Sequence, residues 1–340
     1  MALTLYQAAR DISVDPFCER SCHRYCVNKA ILGGRFLFES TSEALLQLVE
    51  AAYGGLNQYP LPNAAPEFRV ELRLSRRQAS PCEAQPPPVQ MQSGAGMLCG
   101  VMDAFNYVVL APGQRRALVM VSEDMLTHSY HLRYELIEFA VFTLAARGLG
   151  LVALHGACVG WRERGILLLG ASGSGKSTLA LHSLLLGLDF LAEDAVFAQP
   201  ESMLAAGVAN YLHVQPDALR FVDDDESRDW ISRAPVIRRR SGVEKFEVDL
   251  RQGHGCLAAA PLQLISAVFV SSQAADDLGA LLSPVSGEEI AARLSADQPY
   301  AAGQPGWHRF VQRVLQLGVY ELRRGHHPRA GVDALWRLLA

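Results

Sequence analysis

One nonapeptide constrains this chain more than any other feature. Gly170-Ala-Ser-Gly-Ser-Gly-Lys-Ser-Thr178 satisfies the spacing G-x-x-x-x-G-K-[ST] and stands between Ile166-Leu-Leu-Leu169 and a leucine-rich stretch ending near Gly187. The motif has physical content only between a buried strand and a helix. Both are predicted here: a run apolar on both faces belongs in the middle of a covered sheet. A polyphosphate must be wrapped by backbone N–H groups, so Gly170, Gly173 and Gly175 supply the φ values and close approach that a side chain would block. Ser172, Ser174 and Thr178 complete the binding loop. The helix starting near Lys176 points its free N–H groups and positive end at the phosphates. Lys176 is expected to reach the β- and γ-phosphates of ATP, and the Ser177 hydroxyl to ligate Mg2+.

Such a loop also needs an acid near the metal. Phe190-Leu-Ala-Glu193-Asp194-Ala-Val-Phe-Ala198 supplies two, flanked by apolar residues that read as one strand. Adjacent carboxylates in that setting are costly to bury without a cation or donor. One can hold Mg2+ while the other takes a proton from an attacking hydroxyl. The alternative is an exposed acidic turn. Arg233, Arg238-Arg239-Arg240 and Lys245 form a basic concentration and Asp223 to Glu226 an acidic one. An arginine near the γ-phosphate stabilises the transition state, but a charge run also fits a solvated loop, and the sequence does not choose among the arginines.

Composition limits the remaining classes. The chain has 340 residues, 50% hydrophobic and 19% charged, enough for one large core or two modest ones. A net charge of -4 gives no broad positive field, which argues against a nucleic-acid binder. Mean hydropathy is +0.10, yet the most apolar neighbourhood, Leu136 to Val159, is interrupted by Glu138, Arg147 and His155, short of the roughly 18 residues a membrane span needs. Met1 to Arg10 has no basic start, apolar run or cleavage site, so a cytoplasmic protein without a membrane partner is expected. Homo-oligomerisation is left open.

Seven cysteines do not suggest a disulfide framework. Cys18, Cys22 and Cys26 recur every four residues with His23 between, which on a helix stacks three thiols along one side. A metal site and a small apolar packing stripe are both open.

Residues 1–148 read as a smaller α+β domain, an accessory or substrate-recognition unit: a helix over Ser42 to Tyr53, a strand at Phe68 to Leu74, a hairpin of Tyr107–Leu110 with Arg116–Val121, and a helix from Tyr130 to Arg147. Residues 149–340 read as an α/β P-loop domain, with Leu262–Val270 a core strand and Trp307–Leu317 a core helix.

The run His155-Gly-Ala-Cys-Val, the turn Trp161 to Gly165, the P-loop and Leu-Ala-Glu-Asp-Ala-Val resemble the catalytic domain of the HPr kinase/phosphorylase family. The resemblance is specific from Leu151 to Phe197 and looser towards the C-terminus, through Gly207–Val214 and Val319–Arg323. It implies an ATP-dependent serine-hydroxyl kinase, with Asp194 as catalytic acid, Glu193 as its metal-side partner, Lys176 and His155, the histidine near the phosphates, as further catalytic residues, and His213 beside the nucleotide, although a lone histidine in Tyr-Leu-His-Val also fits a packed or surface residue. Thr178 stands where HPr kinases have glutamate, and their R-G-x-G segment is absent. The implied acceptor is therefore a hydroxyl of a peptide, another protein or a small molecule. A nucleotide-binding regulatory module with little transferase activity is the alternative. A decarboxylating carboxykinase would need a metal-ligating lysine and histidine set that the sequence does not display.

Overall fold

A computed structural model describes residues 4–6, 24–59, 61, 66–75, 85–253, 255–277 and 279–340. The chain divides into two compact units, Met1–Gly54 with Pro62–Leu149, and Gly55–Leu61 with Gly150–Ala340. Each is mixed α/β.

The first unit is an eight-stranded sheet: β1 Thr4–Tyr6, β2 Arg24–Ile31, β3 Gly34–Ser40, β4 Glu67–Ser75, β5 Gln90–Gly94, β6 Met97–Val101, β7 Tyr107–Ala111 and β8 Arg116–Ser122. The order is β1-β2-β3-β4-β8-β7-β6-β5, with β4 parallel to both β3 and β8. Period-2 patterning does the sorting. Phe36, Phe38, Phe68, Val70, Leu72, Ala117 and Val119 are buried, while Arg35, Glu67 and Arg69 between them are exposed. Helix α1, Glu43–Tyr53, buries Leu45, Leu46 and Val49.

The helix expected from Tyr130 is broken into α2, Ser129–His131, a π-type turn Leu132–Ile137, and α3, Glu138–Leu149. The turn takes Arg133 indoors beside Glu138, 3.7 Å away, so the irregularity accommodates a buried charge pair that 3.6-residue periodicity does not reveal. Phe139 to Ala146 supplies core residues, as its apolarity suggested. Cys26 lies on β2, a strand and not a helix; Cys18, Cys22 and His23 fall outside the described residues.

The second unit holds β9 Val152–His155, β10 Ala157–Trp161, β11 Arg164–Leu169, α4 Lys176–Leu185, β12 Asp189–Ala192, β13 Ala195–Ala198, β14 Leu204–Gly207 and β15 Tyr211–Val214. It continues with α5 Asp225–Ser232, β16 Val236–Arg238, β17 Glu244–Asp249, β18 Leu262–Ala274, β19 Leu282–Pro284, α6 Gly287–Asp297, α7 Pro299–Ala302, α8 Trp307–Val314, β20 Gly318–Arg324 and α9 Pro328–Leu339. The main sheet runs β12-β10-β11-β18-β14-β13-β9, with β20 added to β18 and β19 to β20; β15, β17 and β16 form a separate small sheet.

Strand β11 is central and parallel to β18. Its two faces enter different cores. Ile166 and Leu168 pack with Leu179 and Leu184 of α4 and Leu335 of α9. Leu167 and Leu169 pack with Phe269, Leu294 of α6 and Phe310 of α8. Each such side chain contributes about 1.5–3 kcal/mol by leaving water, and together they fix the strand that carries the loop. Among the described residues no helix is long and apolar enough to cross a membrane.

Candidate active site

The loop begins where β11 leaves the sheet. Gly170 has φ +128°, and a Cβ there would lie 2.6 Å from the Val270 carbonyl of β18, so only glycine permits the exit. Gly173 and Gly175 follow in left-handed conformations. Gly175 is the N-cap of α4 and offers no side-chain acceptor, which leaves the helix start open to an anion. The Ser174 hydroxyl is buried without a hydrogen-bond partner, while Ser172 is exposed and Thr178 half-buried. Lys176 is buried, and its ammonium donates to the Gly170 carbonyl at 2.6 Å and to that of Ala171 at 3.1 Å. Burial lowers its pKa, against the opposing pull of Asp194, Asp297 and Glu193.

The acidic pair stands at a fold in the sheet. The stretch expected as one strand is two, β12 and β13, because the ladder bends between Cys158↔Ala192 and His155↔Ala195. Gly156 makes the bend on one side, where a Cβ would meet the Leu168 carbonyl at 2.6 Å, and its N–H donates to the Asp194 carbonyl at 3.3 Å. On the other side Asp194 takes φ +66°, a conformation that aspartate tolerates better than most residues. The bend turns Glu193 and Asp194 out of the ladder towards the loop. The Ser177 hydroxyl donates to Glu193 Oε1.

Asp194 is gripped from outside the motif. Arg239, at the end of β16, donates to its Oδ2 at 2.6 Å. Burial would raise the carboxyl's pKa, but the Arg239 charge and hydrogen bond, with His213 and Lys245 behind them, hold it well below the usual carboxylate range. His213 on β15 is buried, its Nδ1 3.5 Å from Glu193 Oε2 and 3.8 Å from Asp194 Oδ2, and its Nε2 3.4 Å from Glu247 Oε1. Burial works against its charge, yet hydrogen bonding to Glu193 and Glu247 raises its pKa to about 9. Three carboxylates thus face Lys176, His213 and Arg239.

His155 is exposed, and its Nδ1 lies 3.2 Å from the Asp194 carbonyl oxygen, not from the carboxylate. Its backbone is clasped by Gln298, which accepts from the His155 N–H at 2.7 Å and donates to its carbonyl at 2.8 Å. Ala153 N–H reaches Gln304 Oε1 at 3.4 Å. The two glutamines close the outer edge of β9.

The structure therefore gathers Lys176, Ser177, Glu193 and Asp194 at one loop and leaves His155 at the rim. Of the arginines, Arg239 reaches the site; Arg233 pairs with Asp229 on the surface. Asp224 caps α5 by accepting from Ser227 N–H, a structural use for the acidic run. Glu247 and Gln298 carried no sequence signal: Glu247 matters because β17 pairs it with His213, and Gln298 because α6 delivers it to β9.

The donor set tests the fit of a metal. Glu193, Asp194 and His213 place ligand atoms within 4.8 Å of one another, and with the Ser177 hydroxyl the oxygen donors suit a hard divalent cation. Among the described residues this is the one such cluster.

No protein-family model matches this chain, and no curated protein matches it. Among solved structures it is similar to the HPr(Ser) kinase/phosphatase from Coxiella burnetii, at 14% identity and a TM-score of 0.27, over 55% of this chain and 90% of that one.

Proposed function

We propose that this protein is an HPr-kinase-like, ATP-dependent kinase that transfers the γ-phosphoryl group to a hydroxyl, serine above all, of a peptide, protein or small molecule, with residues 149–340 catalytic and 1–148 accessory. One observation carries the reading: the motif serine, Ser177, is hydrogen-bonded to Glu193 while the adjacent Asp194 is held by Arg239. A loop that served only as a glycine-rich turn has no use for that assembly.

In this reading the backbone of Gly170–Thr178 and the Lys176 ammonium bind the phosphates of ATP. Lys176 exchanges its bonds to the Gly170 and Ala171 carbonyls for phosphate oxygens. Ser177 and Glu193 would hold Mg2+, with Asp194 beside it, and the bound ion would neutralise charge on the β- and γ-phosphates. Asp194 orients the acceptor hydroxyl. The acceptor oxygen bonds to the γ-phosphorus as the bond to the β–γ bridging oxygen breaks; ADP leaves with the electron pair, and the proton passes to Asp194. Arg239 is placed to release Asp194 and stabilise the equatorial charge.

The closed Asp194–Arg239 pair also favours a second reading, a nucleotide-binding regulatory module, because a carboxylate so stabilised is a weak base. Asp194→Asn separates the two. The kinase reading expects near-normal Mg-ATP affinity and phosphoryl transfer lowered by about two to four orders of magnitude, measured by intact-mass gain on acceptors incubated with Mg-ATP. Transfer at the wild-type rate in that variant removes Asp194 from the chemistry.

A further inference from the structure

The small sheet β15-β17-β16 has an open edge, and that edge leads to Asp194. Strand β16 pairs with β17 on one side, and no strand pairs with its other side among the described residues. Glu247 N–H donates to the Pro235 carbonyl and Arg239 N–H to that of Val243, so residues 235, 237 and 239 turn their backbone groups towards β17. The N–H and C=O groups of Val236 and Arg238 consequently face outward, as alternation in an antiparallel ladder requires. An unpaired row of this kind is a template for another strand.

The side chains around it define what fits. Val236 is 58% exposed and Val243 40% exposed, large fractions for apolar residues, whereas Ile237 between the outward positions is buried at 7%. Arg238 and Arg240 are exposed, and Glu244, opposite Arg238 in the ladder, is the one exposed acid of the hairpin against those two arginines. The surface thus offers apolar contact and a positive balance to an extended chain. The residue after β16 is Arg239, 2.6 Å from Asp194, and a strand added to β16 would run about 4.8 Å from its backbone.

We propose that β16 is the docking edge for the phosphoryl acceptor, and that the acceptor is an acidic, extended polypeptide segment laid down as a fourth strand so that its hydroxyl residue reaches Asp194. The assignment rests on the kinase reading and narrows its acceptor from any hydroxyl compound to a polypeptide recognised through its backbone. Main-chain hydrogen bonds supply the affinity, and the valines and arginines the preference among sequences.

The test uses the full chain and synthetic nonapeptides with a central serine flanked by alternating glutamate and valine. Comparison peptides carry lysine in place of glutamate, or N-methyl groups on every second amide in either of the two phases. Binding is read by fluorescence anisotropy, Mg-ATP affinity by a separate titration, and transfer by mass. The glutamate peptide should bind at least tenfold tighter than the lysine peptide, and one N-methylation phase should abolish binding while the other is tolerated. Val236→Pro, which removes an outward N–H together with the exposed valine side chain and fixes φ, and Arg238→Glu should each weaken peptide binding at least tenfold with Mg-ATP affinity unchanged. Equal binding of all peptides, or none by the glutamate peptide up to about 1 mM, overturns the proposal. Peptide binding without transfer leaves the docking edge standing and sinks the kinase reading. Transfer to a small hydroxyl compound without peptide binding does the reverse.

Discussion

The Arg239 guanidinium donates to the Asp194 carboxylate at 2.6 Å across 45 residues of sequence. Both side chains are largely buried, at 22% and 16% exposure, so each neutralises a charge that would otherwise be poorly solvated. Arg239→Ala leaves Asp194 with the charges of His213, Lys245 and Lys176 nearby. Stability should fall by about 1–3 kcal/mol at neutral pH, towards the lower end because those cations remain. Chemical denaturation measures it. Because the folded carboxyl titrates below its unfolded value, the pair's contribution is present above about pH 4 and is lost as pH falls through about 2. The variant and the wild type should therefore converge in strong acid.

Lys176→Ala removes the one side-chain cation whose bonds go to the loop's own carbonyls. Mg-ATP affinity should drop at least tenfold, about 1.4 kcal/mol, and thermal stability should also fall, because the buried Gly170 carbonyl loses its partner. Unaltered affinity in an ATP titration would remove the nucleotide site.

His182 on α4 is buried against Phe221 and His327. Burial, reinforced by the neighbouring His327, lowers its pKa to about 4 from 6.5. The unfolded chain binds this proton first, so stability should decline as pH falls from about 6.5 towards 4 and be flat, as far as this residue is concerned, above that window. His182→Gln should flatten the slope between those limits in denaturation curves taken at successive pH values.

Gln298 satisfies both backbone groups of His155. Gln298→Ala should destabilise the protein by about 2 kcal/mol, since two polar groups at a sheet edge lose their partners. His155 sits one residue before the bend at Gly156, so transfer should fall as well, and more than ATP binding does. A variant with normal transfer would show that the bend holds without its clasp.

The strand, loop and helix around Gly170–Thr178 were legible because their signals are local. A strand with two apolar faces, glycines at fixed offsets and a helix after them need no partner to be recognised, and β11, the loop and α4 stand where Ile166–Leu169, Gly170–Thr178 and the leucine-rich stretch put them. The bend at Glu193–Asp194 was not legible. Apolar residues on both sides suggest continuity, and the break shows only in the backbone, at Gly156 between β9 and β10 and at Asp194 with its positive φ. Choosing Arg239 over its neighbours required knowing that β16 ends one residue earlier. His213 was read through family likeness, but its tie to Glu247 exists only in the pairing of β15 with β17. In the first unit, Phe68–Leu74 announced its strand by alternation, whereas the π-type turn at Leu132–Ile137 follows from burying Arg133 beside Glu138, a cause no periodicity carries.

The glutamines on β9 have a consequence for traffic around the site. Of the strand edges in this unit, that of β9 is closed by the side chains of Gln298 and Gln304, whereas no strand pairs with the outer side of β16 among the described residues. An extended chain that wanders into the neighbourhood finds backbone groups taken at β9 and open at β16. Indiscriminate sheet growth is discouraged at the sealed edge, and a chain that settled on β16 would lie beside the backbone of Arg239, the partner of Asp194.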